Sequence, residues 1–296
     1  MSSMRSSFSQ VTAKLIEEDP RVIVLLGDIG VYSFNDPMTR FPDRVLNVGI
    51  LEQSMIGMAA GLAMEGFIPI IHSIAPFLIE RSLEQIKIDF GYQRLRGNLV
   101  SVGASFDYSA LGATHHAPGD VGILLNIPGI QIFIPGTSKE FEALFRNAYA
   151  NDKINYFRLS EKENSNSHII LPGEILEISA GSDLTVLAIG PTLDAALALK
   201  QEFDVQILYT NSLNIDGASP LKSLISTPKL LVLEPFYVGT TAPLVMDLSS
   251  SPEFEVHFHG VKREFIRDYG SMEDIEEQLG LTQADLHTKV SELLNA

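Results

Sequence analysis

Residues 44–53, Arg44-Val45-Leu46-Asn47-Val48-Gly49-Ile50-Leu51-Glu52-Gln53, pass from a short apolar strand through a turn to a carboxylate heading a small-residue helix. A carboxylate at a strand-to-helix turn lies where open α/β sheets place their sites. The same position suits a helix N-terminus, where negative charge meets the dipole. Spacing alone leaves both roles open for Glu52. Gly57, Ala59, Ala60, Gly61 and Ala63 follow, so the helix to about Met64 can approach another backbone closely, at an interface or inside a domain.

Outward from this stretch, β-rich runs alternate with helical ones. Val22 to Leu26 is wholly apolar and ends at Gly27-Asp28, as a buried parallel strand does. Ile68 to Ile71 follows the helix stop at Gly66, and a helix is expected from about Pro76 to Phe90. Leu99 to Val102 leads into a polar, glycine-bearing stretch from Gly103 to Asp120. Ile130 to Ile134 is closed by Pro135, and Lys139 to Ala150 reads as an amphipathic helix. This alternation predicts a mostly parallel sheet with helices on both faces.

The polar, turn-rich stretch Glu161 to Gly173 reads as a linker. Beyond it, Leu184 to Ile189, a helix through Ala195 to Phe203, Val205 to Leu208 and Leu230 to Leu233 form a second α/β pattern. An acidic helical tail runs from Ser271 to Leu294. Two domains are expected, 1–168 and 169–296.

Composition narrows the function. The 296 residues suit about two domains of roughly 150 residues. With 21 basic against 37 acidic residues the net charge is −16, which speaks against nucleic acid or an anionic membrane as partner. The chain has no cysteine, so disulfides, thiolate metal sites and cysteine nucleophiles are excluded. The opening MSSMRSSFSQ carries no apolar run, and no stretch approaches the roughly 18 apolar residues of a membrane span. A soluble cytoplasmic protein is expected.

Gly112-Ala113-Thr114-His115-His116 is the second stretch that can carry chemistry. Adjacent histidines on an extended loop point to opposite sides, so one of them would face a site. Asp107 and Asp120 are nearby, but no helical or ribbon metal spacing accompanies them, and zinc is not expected. Surface histidines remain the alternative. No phosphate-binding glycine loop, no G-x-S-x-G elbow and no Asp/Asn pair for magnesium on a diphosphate occurs.

Together these residues resemble the transketolase family. Arg44 to Gln53 is similar to the G-I-x-E-[HQ] motif of transketolases and 1-deoxyxylulose-5-phosphate synthases. Pro69, Phe77-Leu78 and Glu84-Gln85 match the next strand and helix, and Gly112 to His115 matches the G-[PA]-T-H loop. Ile127-Pro128-Gly129 and Ile134-Pro135 fit the following region. The likeness runs from about 8 to 160, more weakly from about 180 to 296, and covers the C-terminal half of a transketolase.

The resemblance implies a pyrimidine-binding domain of the thiamine-diphosphate-enzyme type, followed by a transketolase C-terminal α/β domain. It implies thiamine diphosphate as cofactor, with Mg²⁺ and the diphosphate held by an N-terminal transketolase subunit in a two-plus-two heterotetramer. Glu52 would hydrogen-bond the aminopyrimidine nitrogen, its carboxyl kept protonated by burial beside a ring. Phe77 would stack on that ring, with Asp28 and Ile50 beside the cofactor. His115 would contact substrate oxygens and shuttle protons, with His72 and Arg158 as further substrate residues.

Three positions depart from the family pattern. Leu111 replaces a hydroxyl-reading aspartate, Gly103-Ala104 replace an acceptor-phosphate group, and Glu161 replaces a phosphate-binding arginine. The resemblance therefore implies transfer of a two-carbon ketol unit to an aldose or modified sugar. A deoxyxylulose-phosphate-synthase-like or 2-oxo acid decarboxylating carboligase, and a non-catalytic scaffold, are the alternatives.

Overall fold

The computed structural model describes residues 3–213, 221–245 and 254–295. Six strands follow one another in the first half: β1 (Val22–Leu26), β2 (Val45–Asn47), β3 (Ile68–Ile74), β4 (Gly97–Val102), β5 (Ile130–Phe133) and β6 (Ile154–Arg158). The second half contributes β7 (Leu176–Ser179), β8 (Leu184–Ile189), β9 (Val205–Thr210), β10 (Ser212–Leu213), β11 (Lys229–Tyr237) and β12 (Glu255–Val261). The first sheet has the order β10-β5-β6-β4-β3-β1-β2, and the second β12-β11-β8-β9-β7. All pairings are parallel except the edge strands β10 and β7.

The expected mixed α/β architecture is therefore present. β1, β3 and β4 are buried along their whole length, because helices cover both faces of the first sheet. Ile23 and Leu25 face Met55, Ile56 and Leu78 from helix Glu52–Met64 and the helical stretch after it. Val22, Val24 and Leu26 face Met4, Phe8, Phe141 and Phe145 on the opposite side.

Two of those four belong to a helix that the sequence reading did not identify, Met4–Glu18. Its signal is the spacing Met4, Phe8, Val11, Leu15, all buried on one face, behind a Ser3 N-cap. The expected helix from Pro76 is a chain of turns, with wide π turns at Pro76–Glu80 and Ile86–Tyr92 around a short α segment. The acidic tail is two helices, Met272–Leu279 and Gln283–Asn295, broken where Gly280 adopts φ +69°.

The stretch expected as a linker is pinned along its length. Glu163 accepts from the backbone N–H groups of Met4 at 2.9 Å and Ser138 at 2.8 Å, and Asn164 donates to the Gly190 carbonyl at 2.9 Å. The two sheets are also tied directly, since β10 adds to the edge of β5. Buried Glu140 accepts from Tyr209 Oη at 2.6 Å, Gly136 N at 2.9 Å and His168 N at 2.8 Å. Polar residues here satisfy buried backbone donors, which composition alone does not distinguish from a solvated linker.

Candidate active site

Strand order gathers the C-terminal ends of β2, β1, β3 and β4 in a row, the usual location of sites in such sheets. At the end of β1, Asp28 takes φ +60°, a left-handed conformation that short polar side chains tolerate. Asn47 holds it there: Asn47 Nδ2 donates to Asp28 Oδ1 at 3.0 Å, and Asn47 Oδ1 accepts from Asp28 N at 3.1 Å. The same Oδ1 accepts from Gly49 N, shaping the turn that leaves Ile50 exposed at its crest.

Glu52 opens the following helix and is buried to 1% exposure. Ser73 Oγ, from β3, lies 3.4 Å from Oε1, and Arg81 Nη1 donates to Oε2 at 2.8 Å. Arg81 sits four residues after Phe77, so both side chains project from the same side of the helical stretch. The guanidinium carbon lies 4.3 Å from the centre of the Phe77 ring. His115 meets that ring edge-on at 5.1 Å between centroids, with Tyr108 behind it at 6.2 Å. Thr114 Oγ1 lies 3.0 Å from His115 Nδ1, leaving Nε2 for other partners. Glu52, Arg81, Phe77 and His115 thus form one continuous constellation.

His116 points the other way, into the fold, edge-on to Phe106 at 5.4 Å and 3.3 Å from the Ser109 carbonyl. Burial holds its pKa below the usual histidine value.

Two expected substrate residues are differently placed. His72 is completely buried beneath Gly30, with Nδ1 2.8 Å from the Val100 carbonyl and its ring against Phe8. Burial pushes its pKa down to about 4, and Nε2 has no partner among the described residues. The alternation along β3 turns this side chain to the Phe8 side of the sheet, opposite to Ser73 and Glu52. Arg158 is equally enclosed: Nε donates to Asp120 Oδ2 at 2.8 Å, and Nη2 donates to Ser105 Oγ at 2.9 Å. Asp120 also accepts from Tyr156 Oη at 2.6 Å. Arg158 therefore pins both ends of the loop carrying His115.

Asp107 stabilises the same loop. It accepts from Ala104 N at 2.9 Å and Glu161 N at 3.1 Å, and burial pushes its pKa up to about 7. Sequence reasoning did not single out Arg81, Asn47 or Asp107 in these positioning roles. Arg81 carried a signal in its i,i+4 relation to Phe77, whereas the other two depend on contacts across the sheet.

The residues present fit one end of thiamine diphosphate, a planar aminopyrimidine, with a buried carboxyl and an aromatic face side by side. Among the described residues no group of three or more His, Cys, Asp or Glu is placed to hold a metal ion. No described helix is long and apolar enough to cross a membrane.

The family profile "Transketolase, pyrimidine binding domain" matches residues 1–165. A protein of Rhodococcoides fascians described as an uncharacterized 33.6 kDa protein in fasciation locus is 35% identical over 98% of this chain and 95% of its own length. An apulose-4-phosphate transketolase subunit of Actinobacillus succinogenes is 35% identical over 65% of each chain. This chain spans about half the length of the Listeria monocytogenes 1-deoxy-D-xylulose-5-phosphate synthase, at 26% identity over 99% of its own residues. Among solved structures, a split gene transketolase described as an inactive beta4 tetramer shares the fold, with TM-score 0.83 and 24% identity over 99% of this chain and 98% of that one.

Proposed function

We propose, for a chain that belongs to the family of the transketolase pyrimidine-binding domain, that it is one subunit of a two-chain enzyme moving a two-carbon ketol unit onto an aldose or modified sugar with thiamine diphosphate. The meeting of Glu52, Phe77 and His115 at one sheet end carries this reading. When bound, thiamine diphosphate supplies a nucleophilic carbon able to carry the ketol unit.

Glu52, ion-paired with Arg81 in this structure, would turn its carboxyl to the aminopyrimidine ring nitrogen and share a proton there, its burial excluding water from that bond. Phe77 offers the ring a stacking face, while Ile50 and the Asn47-braced Asp28 flank it. His115, oriented by Thr114 at Nδ1, contacts substrate oxygens and moves a proton there. Arg158 and His72 act indirectly, by fixing the loop and the strand on which the site stands.

Mg²⁺ and the diphosphate belong, in this reading, to an N-terminal transketolase subunit, in a cytoplasmic assembly of two copies of each chain. The pyrimidine-binding domain spans 1–168 and the C-terminal domain 169–296. A deoxyxylulose-phosphate-synthase-like reaction is the second reading, favoured by the His115-His116 pair. The scaffold reading is disfavoured by the joint presence of Glu52, Phe77 and His115. Calorimetry tests the proposal: thiamine diphosphate with Mg²⁺ should bind the two-chain assembly and not this chain alone. Tight binding to the isolated chain would refute the divided site.

A further inference from the structure

A segment of the second half, residues 262–270, lies across the outer side of the His115 loop. Buried Ile266 anchors it in a small core with Phe106, Val261 and Ile275. Tyr269 then packs on Gly112, where an added Cβ would stand 2.6 Å from its ring and φ is +73°. Although anchored, the segment leaves large rings in solvent: Phe265 is 80% and Tyr269 73% exposed, beside Leu111 at 51%. Single exposed apolar residues are ordinary, but clustered ones mark binding surfaces.

Next to this cluster is an open cavity of about 780 Å³, walled by Phe265, Tyr237, Arg263, Asn126 and Glu80. That volume falls within the range of small-molecule sites. A smaller hollow of about 60 Å³ shares Glu80, Tyr237 and Phe265 with it and reaches Ala113 and His116 on the site loop. Arg263 uses Nε on the Val238 carbonyl, and its two Nη groups make no hydrogen bond among the described residues. The cavity thus combines an aromatic face on Phe265, polar groups on Tyr237 and Asn126, and the Arg263 guanidinium over the Tyr237 ring, with the Glu80 carboxyl on its wall, in a chain of net charge −16.

We propose that this cavity holds the nucleoside diphosphate of a nucleotide-linked sugar acceptor, which rests on the transferase reading above. A nucleobase needs a stacking face and polar groups at its edge, which Phe265, the Tyr237 hydroxyl and Asn126 Oδ1 supply, Asn126 Nδ2 already donating to the Gly122 carbonyl at 2.8 Å. A diphosphate is matched by the paired N–H groups of Arg263. The hollow brings the cavity up to the loop that carries His115, on its His116 side. Anion binding is thereby moved outward, away from Gly103-Ala104 and Glu161, which carry no cation.

Ligand-observed NMR on the two-chain assembly tests this with UDP, dTDP, CDP and GDP, with inorganic pyrophosphate and ribose 5-phosphate as controls. At least one nucleotide should bind below millimolar concentration, with saturation transfer strongest on its base protons. Phe265→Ala and Arg263→Gln should each weaken it about tenfold or more, while thiamine diphosphate affinity stays unchanged. Failure of all four nucleotides in an assembly that binds thiamine diphosphate overturns the proposal. So does equal competition by pyrophosphate, which would mark an anion site alone, or unchanged affinity in both variants. An assembly that binds a nucleotide but not thiamine diphosphate would refute the parent reading and leave the nucleotide site standing.

Discussion

Arg81 and Glu52 meet through one 2.8 Å contact between partners of opposite accessibility, the arginine side chain 38% exposed and the glutamate 1%. The same guanidinium covers the Phe77 ring. In this chain both groups proposed for the aminopyrimidine are thus engaged by one side chain that has an open route to solvent.

The pair should be energetically coupled. A double-mutant cycle of Glu52→Gln and Arg81→Gln, read by urea unfolding, should give about 1–3 kcal/mol, the range for contacting charged residues with a buried member. A coupling below about 0.5 kcal/mol would mean the contact is incidental.

Glu52→Gln should leave assembly intact yet slow proton exchange at the reactive carbon of bound thiamine diphosphate. General acid–base catalysis sets the scale, roughly 10²–10⁴-fold. Quenched-flow exchange monitored by NMR measures it, and near-normal exchange would return Glu52 to a helix-dipole role.

His72 and Asp107 should oppose each other in the pH dependence of stability. His72, at about 4 in the fold, binds fewer protons there than in the unfolded chain, so its contribution is present above 6.5 and lost toward pH 4. Asp107, raised to about 7, contributes stability at low pH that is lost as pH rises from about 4 through 7. His72→Asn should therefore turn a shallow profile into one that falls from pH 4.5 to 7. At about 1.4 kcal/mol per pKa unit, up to about 3 kcal/mol separates the two profiles. Urea unfolding across that interval measures the slopes; parallel profiles would contradict the assignment to His72.

Ordinary sugar phosphates should be poor acceptors. Glu161 is exposed, Gly103-Ala104 bring no charge, and Arg158 is committed to Asp120. Steady-state assays of the assembly with ribose 5-phosphate and erythrose 4-phosphate should give kcat/KM below about 10⁴ M⁻¹s⁻¹, the lower edge of usual enzyme efficiency. Higher values would show that these positions do not set specificity.

The α/β class, most strands of the first sheet and the Glu52 turn were legible because they depend on local pattern. A five-residue apolar run such as Val22 to Leu26 has few ways to be buried other than in a parallel sheet, and Gly49 before Glu52 marks the turn. Helix Met4–Glu18 was less visible because serines and threonine fill the spaces between its apolar core residues. Edge strands β7, β10 and β12 alternate with polar groups or are only two residues long, and become strands by pairing with partners far along the chain.

The sequence by itself determined which chemical groups are present: a carboxylate at a turn, an aromatic residue and a histidine on a glycine loop, with no cysteine. Only the tertiary structure decided which of them face outward. His72 and Arg158 look as reactive as His115 in the sequence, yet β3 turns one inward and Asp120 captures the other. Whether a polar side chain is free or committed depends on partners brought together across the sheet. Arg158 and Asp120 are 38 positions apart, and Arg81 and Glu52 are 29. Local periodicity constrains neighbours three or four residues apart, whereas those longer pairings exist only once the strands have been ordered.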